Sequence, residues 1–297
     1  SSDLFRYSTM TLNEKTLSFC CQNCWLYGVL GIPPQPNSRG ILIVVGGPQY
    51  RVGSHRQFTL LARFLAEYHI PSLRFDYRGM GDSDGVIQTF ENIEEDLNSA
   101  INQFFINIPE LKEVVIWGLC DAASAALFYA HKDPRVTGLV LVNPWVRTEA
   151  GAAKAYLKHY YVSRLLNWEF WKKLGRGQFK LSESFSSLYR SVSKFLMKKT
   201  EIVNDKVQQA SCNLVPLPDR MLEGLKQFKG KILLITSGDD LTAQEFLDLI
   251  NASNDWKYIL ASRQVRRAHL QEANHTFSTR QWRDQVASWT AEWCKSW

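Results

Sequence analysis

The chain has 297 residues, of which 45% are hydrophobic and 22% are charged, and its formal net charge is +6. These values are typical of a globular protein, and the length allows one large α/β domain with an inserted piece. The longest purely aliphatic run is Ile41–Val45, far short of the ~20 residues that a membrane-spanning helix needs. The N-terminal stretch has no basic segment followed by an apolar one, which predicts a cytoplasmic protein without a membrane span.

The cysteine pattern favours neither disulfides nor a metal. Six cysteines in a chain of this length do not make a disulfide framework. Cys20, Cys21 and Cys24 lie close together in the sequence, but no fourth ligand follows at the spacing of a zinc site. We therefore expect inert strand cysteines there, no metal site and no cofactor.

The first part of the chain alternates between strand and helix patterns. Two strands around a turn near Gln22–Asn23 precede a continuous aliphatic strand, the kind that is buried on both faces of a parallel sheet. The elements predicted after it are a helix at Phe58–Tyr68, a strand at Pro71–Phe75, a helix at Glu91–Phe105, a strand at Val114–Trp117, an alanine-rich helix and a strand at Val136–Val142. This order predicts a mostly parallel sheet with helices on both faces.

The alternation breaks between residues 145 and 216, in an aromatic and basic segment. Between Arg147 and Lys199 there are twelve Lys and Arg residues against three acids. We interpret residues 145–216 as an inserted helical cap between two parts of one core, residues 1–144 and 217–297. The elements predicted after the cap are a helix at Asp219–Phe228, a strand at Lys231–Thr236, a helix at Leu241–Ile250, a strand near Val265–Leu270 and a last helix from about Ser278 to Cys294.

The segment Val114–Ala126 carries the strongest sign of chemistry. A β-branched run leads to Gly118, Cys120 follows two positions later, and an alanine-rich helix begins at once. This is the strand–turn–helix context of a nucleophile elbow, with G-x-C-x-A where G-x-S-x-G is usual. A helix N-terminus also favours a thiolate. The alternative is that Cys120 is a small buried hydrophobe, as most free cysteines are.

An activated cysteine needs a base, and the base needs a group that orients it. His275 lies in the loop between the last predicted strand and the last helix, at the sheet edge where ligands bind in open α/β folds. An acid at a strand end between the two would complete the order nucleophile, acid, histidine. Asp239 and Asp240 compete for this role, and either could instead cap the next helix. We favour Asp240.

A tetrahedral oxyanion also needs hydrogen-bond donors. The loop after the aliphatic strand offers backbone N–H groups. Because Pro48 has none, Gly47 is the predicted donor, with Gln49 as the alternative. The N–H of Asp121 would be the second donor, although the glycine pair could equally form an ordinary tight turn. The candidate substrate-binding residues lie in this loop and at the start of the cap: Gln49, His55 and Trp145.

These motifs resemble those of the α/β-hydrolases, and specifically the type 1 hydrolases that accompany bacterial exosortase systems. The segments that carry the resemblance are residues 46–57, 75–83, 118–121, 237–243 and 274–277. The resemblance implies an α/β-hydrolase fold with a cysteine nucleophile. It supports Asp240, because in this family the aspartate before Leu-Thr-Ala is the triad acid. Ala122 stands where many α/β-hydrolases have glycine. The family does not define a substrate, because its members are grouped mostly by genomic neighbourhood.

The predicted function is acyl chemistry on a thioester. A thiolate that attacks a thioester exchanges similar leaving groups, and the acyl-thioenzyme keeps the acyl group activated for transfer. We therefore expect a thioesterase or an acyltransferase. The basic cap indicates an acidic partner, such as the phosphate of CoA or an acidic acyl carrier protein, although its lysines could simply be solvated helix faces.

Two other functions fit the same sequence. One is the hydrolysis of an oxygen ester or lactone on the same fold. The other is a catalytically degenerate protein that binds or scaffolds, in which Cys120 would be no more reactive than a free thiol. Nucleic-acid binding has no motif behind it, because a basic patch alone is a weak signal.

Overall fold

The computed structural model describes residues 12–47, 49–146, 215–262 and 264–297. The strands of these residues are β1 (Asn13–Cys21), β2 (Cys24–Ile32), β3 (Arg39–Val44), β4 (Ser72–Phe75), β5 (Glu113–Leu119), β6 (Val136–Val142), β7 (Lys231–Asp239) and β8 (Val265–Asn274). Their helices are α1 (Gln57–Glu67), α2 (Glu94–Asn107), α3 (Asp121–Tyr129), α4 (Leu217–Gln227), α5 (Leu241–Ala252), α6 (Asn254–Leu260) and α7 (Arg280–Lys295). Of these elements, α6 is the helix that the sequence patterns did not predict.

The strands form one sheet in the order β1-β2-β4-β3-β5-β6-β7-β8. β1 and β2 make an antiparallel hairpin, and β2 also runs antiparallel to β4. Every other neighbouring pair is parallel. The predicted fold class, an α/β-hydrolase fold with a mostly parallel sheet, is therefore confirmed.

The aliphatic strands lie at the centre of the sheet because both of their faces are covered. The side chains of Ile41 to Val44 in β3 and of Val114 to Ile116 in β5 are fully buried. Continuous apolar runs of this kind can only be accommodated between two helical layers. These central strands end together at the carboxyl edge of the sheet, where the loops that follow β3 and β5 meet.

β7 and β8 are longer than predicted, and their register matters for the site. They reach Asp239 and Asn274, and these two residues lie opposite each other in the parallel pairing. The residues that follow them, Asp240 and His275, therefore leave the sheet side by side. The two candidate triad residues are thus close in space although 35 positions apart in the chain.

The described residues up to Val146 and from Leu217 onwards belong to one compact unit. Residues 147–214 lie outside the described residues, so most of the predicted cap does too, and the division at residues 145–216 stays a prediction. In the part of the chain that is described, no helix is both long and apolar enough to cross a membrane.

The close approach of β5 and α3 predicts a stability effect at Gly118. A Cβ added there would lie 2.6 Å from the carbonyl carbon of Ala122 and 2.7 Å from the nitrogen of Ala123. We expect Gly118→Ala to lower the free energy of unfolding by about 3 kcal/mol, because the helix backbone must shift.

Gly47→Ala is the matched control, because a Cβ at Gly47 would meet none of the described residues within 4 Å, although its φ is +60°. This variant should lose only about 1 kcal/mol, from the left-handed backbone alone. Urea denaturation of both variants measures the difference, and equal losses would contradict the close packing at Gly118.

Candidate active site

Cys120 sits at the sharp turn between β5 and α3. Its backbone has φ 63° and ψ −124°, a region that residues other than glycine rarely occupy and that costs about 1–3 kcal/mol. The turn is held by three backbone hydrogen bonds. The Cys120 N–H donates to the Val142 carbonyl at 2.9 Å, and the Cys120 carbonyl accepts from the N–H groups of Ala123 and Trp145, each at 3.1 Å. The surrounding backbone therefore stabilises a strained residue whose side chain is half-buried at the edge of the sheet.

The three predicted triad residues lie together at that edge. The Nδ1 of His275 is 2.8 Å from Oδ2 of Asp240, and the Cys120 side chain is near enough to the His275 ring to raise its pKa. Because Asp240 engages Nδ1, Nε2 is the ring nitrogen left for the thiol. Cys120, His275 and Asp240 thus lie next to one another as a Cys120–His275–Asp240 relay, the order of groups that an activated nucleophile requires.

Asp240 serves two purposes that the sequence analysis treated as competing. Its Oδ1 accepts the N–H of Thr242 at 3.1 Å, and its Oδ2 accepts the N–H of Ala243 at 3.2 Å. These bonds make Asp240 the N-cap of α5, and the cap locks the carboxylate that orients His275. Asp239, the competing acid, is exposed.

The electrostatic state of His275 follows from these contacts. Burial by itself lowers the pKa of His275, but the hydrogen bonds and negative charges of Asp240 and Cys120 outweigh burial and raise the pKa to about 10. At neutral pH the ring is therefore an imidazolium next to the thiol.

Asn143 is a site residue that the sequence analysis missed. It follows β6, is fully buried and has a left-handed backbone with φ 44°. Its Nδ2 donates to Oγ of Ser237 at 2.8 Å and to the carbonyl of His275 at 3.2 Å, and its Oδ1 accepts the Ser237 N–H at 2.9 Å. One amide thus ties the end of β7 to the loop that carries His275. The available signal was Asn143–Pro144 directly after a buried strand, because asparagine tolerates the left-handed conformation.

Gly47 and Asp121, the two predicted oxyanion-hole residues, also lie together, but the N–H group of Gly47 is already engaged. The Gly47 N–H donates to Oδ1 of Asp121 at 2.7 Å. The Asp121 side chain thus engages a donor that was predicted to serve a substrate. The Gly47 loop is itself anchored, because the Arg51 N–H donates to Oδ1 of the fully buried Asp76 at 2.6 Å and the Arg51 guanidinium pairs with the same carboxylate.

The structure places the three predicted substrate-binding residues differently from one another. Trp145 is half-buried beside the elbow and donates its N–H to the Cys120 carbonyl. The Oε1 of Gln49 is engaged within its own loop, where it accepts the Ser54 N–H at 3.0 Å. His55 is exposed and has a left-handed backbone with φ 52°. Of these three residues, Trp145 is therefore the one that a backbone hydrogen bond connects to Cys120.

The pKa of His275 predicts a specific pH dependence. In an NMR titration the ring should titrate near pH 10, and in Asp240→Asn its pKa should fall toward the ordinary value of about 6.5. Since the folded pKa is raised, this group contributes stability that is complete below pH ~6.5 and is lost as the pH rises through about 10. Asp239→Asn is the control, because it removes a neighbouring exposed carboxylate. An unchanged His275 pKa in Asp240→Asn would contradict the relay.

Solved structures share this architecture over nearly the whole chain. The esterase Pf2001 of Pyrococcus furiosus superposes with a TM-score of 0.64 at 17% identity and covers 97% of this chain and 94% of the esterase. A dienelactone hydrolase of Anabaena variabilis gives a TM-score of 0.57 at 16% identity and covers 95% of this chain and 96% of the hydrolase. At these identities the likeness shows the fold alone.

Comparison of the sequence with known proteins identifies the family of this chain. A polyketide transferase of Penicillium sp., grgF, is 31% identical over 90 residues, which make up 29% of this chain and 31% of the transferase. This chain therefore matches less than a third of the length of that relative. The sequence profile of the serine aminopeptidase S33 family (Hydrolase_4) matches residues 36–251, a range that includes the elbow, where this chain has Cys120. The chain belongs to this hydrolase family, with a cysteine at the elbow.

Proposed function

We propose that this protein processes acyl thioesters, as a thioesterase or an acyltransferase, through an acyl-thioenzyme on Cys120. The observation that carries the proposal is the relay itself. Cys120 occupies a strained elbow, its side chain acts on the His275 ring and raises the pKa of that ring, and His275 is oriented by the capped carboxylate of Asp240. A structural cysteine needs none of these contacts.

The proposed reaction has two halves. The Cys120 thiolate attacks the acyl carbon, the carbonyl π pair moves to oxygen, and the N–H groups of Gly47 and Asp121 stabilise the resulting oxyanion. Collapse of the intermediate breaks the bond to the leaving thiolate, which takes its proton from His275. In the second half His275 accepts a proton from water or another acceptor as that group attacks the acyl-thioenzyme, and Cys120 leaves.

Several observations favour a thioester over other acyl donors. The raised pKa of His275 supports a protonated ring that can deliver a proton to a leaving thiolate, and a thiolate exchanges readily with another thiol. The similarity to a polyketide transferase supports transfer as well as hydrolysis. The resemblance to the exosortase-associated type 1 hydrolases rests on the Gly46–Gln57 loop and on the cysteine elbow. Membership in a hydrolase family keeps oxygen-ester hydrolysis as the alternative.

Intact-protein mass spectrometry with acyl-pantetheine thioesters tests the nucleophile. We expect one acyl adduct on the wild type and none on Cys120→Ala. His275→Ala should be acylated about 10²–10⁴ times more slowly, because the general acid–base group is lost. Cys24→Ala, which removes a half-buried thiol of the β1–β2 hairpin, is the matched control and should acylate like the wild type.

The decay of the adduct then separates the candidate activities. Release in water alone indicates a thioesterase, and release that requires an added amine, alcohol or thiol indicates an acyltransferase. Turnover of aryl esters without turnover of thioesters would replace the proposal with the oxygen-ester alternative. No adduct, no turnover and an ordinary alkylation rate at Cys120 would establish the binding or scaffold alternative.

The basic segment suggests an acidic carrier for the substrate. Lys172, Lys173 and Lys180 belong to the run of cationic residues between 147 and 199, which lies outside the described residues. We propose that this segment attracts the phosphates of CoA or an acidic carrier protein.

Changing these three lysines to Glu should raise the KM for an acyl-CoA, and the effect should shrink with added salt. The KM for the matching uncharged N-acetylcysteamine thioester, which carries no phosphate, should stay the same. Equal KM values for acyl-CoA in the variant and the wild type at low salt would refute the charge argument.

A further inference from the structure

The carboxylate of Asp121 engages a donor that the reaction needs. Gly47 N–H donates to Oδ1 of Asp121 at 2.7 Å, and the backbone N–H groups of Ala122 and of Asp121 itself also act on this carboxyl. We propose that Asp121 is an internal occupant of the oxyanion-binding site, which an acyl substrate must displace, and that it thereby sets which substrates react. This inference rests on the proposed acyl chemistry at Cys120.

The surrounding backbone is shaped around this carboxyl. A Cβ added to Gly46 would lie 2.3 Å from the carbonyl oxygen of Leu119 and 2.6 Å from Oδ1 of Asp121. Gly46 therefore leaves the space in which the carboxyl reaches the Gly47 N–H. At Gly47 itself, an added Cβ would meet none of the described residues within 4 Å. No described side chain therefore crowds the residue that carries this donor.

The charges around Asp121 show why it cannot share its donors with an oxyanion. Burial raises the pKa of Asp121 above its ordinary value, although the backbone hydrogen bonds and the positive charge of His275 act in the opposite direction. The charge of this carboxyl also adds to the effect of burial in raising the pKa of the buried Tyr77 phenol. An oxyanion on the Gly47 N–H would stand next to this carboxylate, and two negative charges at one donor repel each other.

Displacing the Asp121 carboxylate costs free energy, which a substrate must recover from its other contacts with the protein. A substrate that touches only the elbow has to compete with an intramolecular ligand. A substrate with a long acyl chain or a carrier arm makes remote contacts whose binding energy can offset the cost of displacing Asp121. The predicted consequence is that the wild type discriminates against small acyl groups, and that this discrimination weakens when the carboxylate is removed.

Aldehydes that add reversibly to the Cys120 thiol test the role of Asp121 without any catalytic turnover. The Cys120 sulfur bonds to the aldehyde carbon, the π pair becomes an oxyanion, and the product mimics the tetrahedral intermediate. Alkylation by iodoacetamide consumes the same thiolate, releases iodide and forms no oxyanion. The ratio of aldehyde affinity to alkylation rate therefore isolates the oxyanion site. In Asp121→Ala this ratio should rise about tenfold or more for butyraldehyde, within the range that one oxyanion donor contributes.

Two further variants serve as controls for Asp121→Ala. Asp121→Asn keeps an oxygen that can accept the Gly47 N–H but removes the charge, so its ratio should lie between those of Asp121→Ala and the wild type. Asp239→Asn removes an exposed carboxylate near the triad and should match the wild type. Circular dichroism spectra and melting temperatures show whether each variant is folded.

The outcomes separate this inference from the proposed function. An unchanged or lower ratio of aldehyde affinity to alkylation rate in folded Asp121→Ala would show that Asp121 does not occupy the oxyanion-binding site. Thioester acylation of the wild type would still support the proposed function. The same rise in Asp239→Asn would also overturn it, since a general charge effect would then explain the data. A rise of the ratio in Asp121→Ala but not in Asp239→Asn would support the inference that Asp121 occupies the oxyanion-binding site. If thioesters then acylate neither the wild type nor Asp121→Ala, the thioester substrate is rejected.

Discussion

The hydrogen bond between Asp240 and His275 is the interaction on which the site depends, and the sheet sets its geometry. Asp239 and Asn274 lie opposite each other in the parallel pairing of β7 and β8, so the next residue of each strand leaves the same edge at the same height. The N-terminus of α5 fixes the carboxylate, and Asn143 fixes the carbonyl of His275. A shift of this register by one residue would separate the pair.

The positions of Cys120 and of the loop after β3 depend on close backbone contacts at glycines. Gly118 lets α3 pack against β5, and Gly46 lets the β3 loop approach the elbow. The same closeness brings the Asp121 carboxylate onto the Gly47 N–H. A site that concentrates backbone donors attracts any nearby anion, and here the first anion is a side chain of the protein. The site therefore combines a thiol beside a histidine with a backbone donor, the Gly47 N–H, that is already engaged.

Much of the fold was predictable because local patterns and tertiary environment agree. Ile41–Val45 is continuously apolar, which requires burial on both faces, and β3 lies at the centre of the sheet. The Gly118–Cys120 spacing indicated a turn, and the backbone of Cys120 has the strained geometry of one. The helix α6 was missed because its seven residues are too few to display a period. The end of β8, Gln271 to Asn274, was missed because Ala273 is its single apolar residue, and the pairing of Asn274 with Asp239 of β7 extends the strand to this point.

The sequence by itself determined the alternation of strands and helices and placed the predicted triad residues, Cys120, Asp240 and His275, after the ends of three strands. These features are local or follow from the chain order of the strand ends. Only the tertiary structure decided that Asp240 both caps a helix and orients His275, that Asn143 braces the histidine loop, and that Asp121 engages the donor of Gly47. Each of these contacts joins residues from different strand ends, and their geometry is set by strand register and backbone approach, which the sequence pattern does not encode.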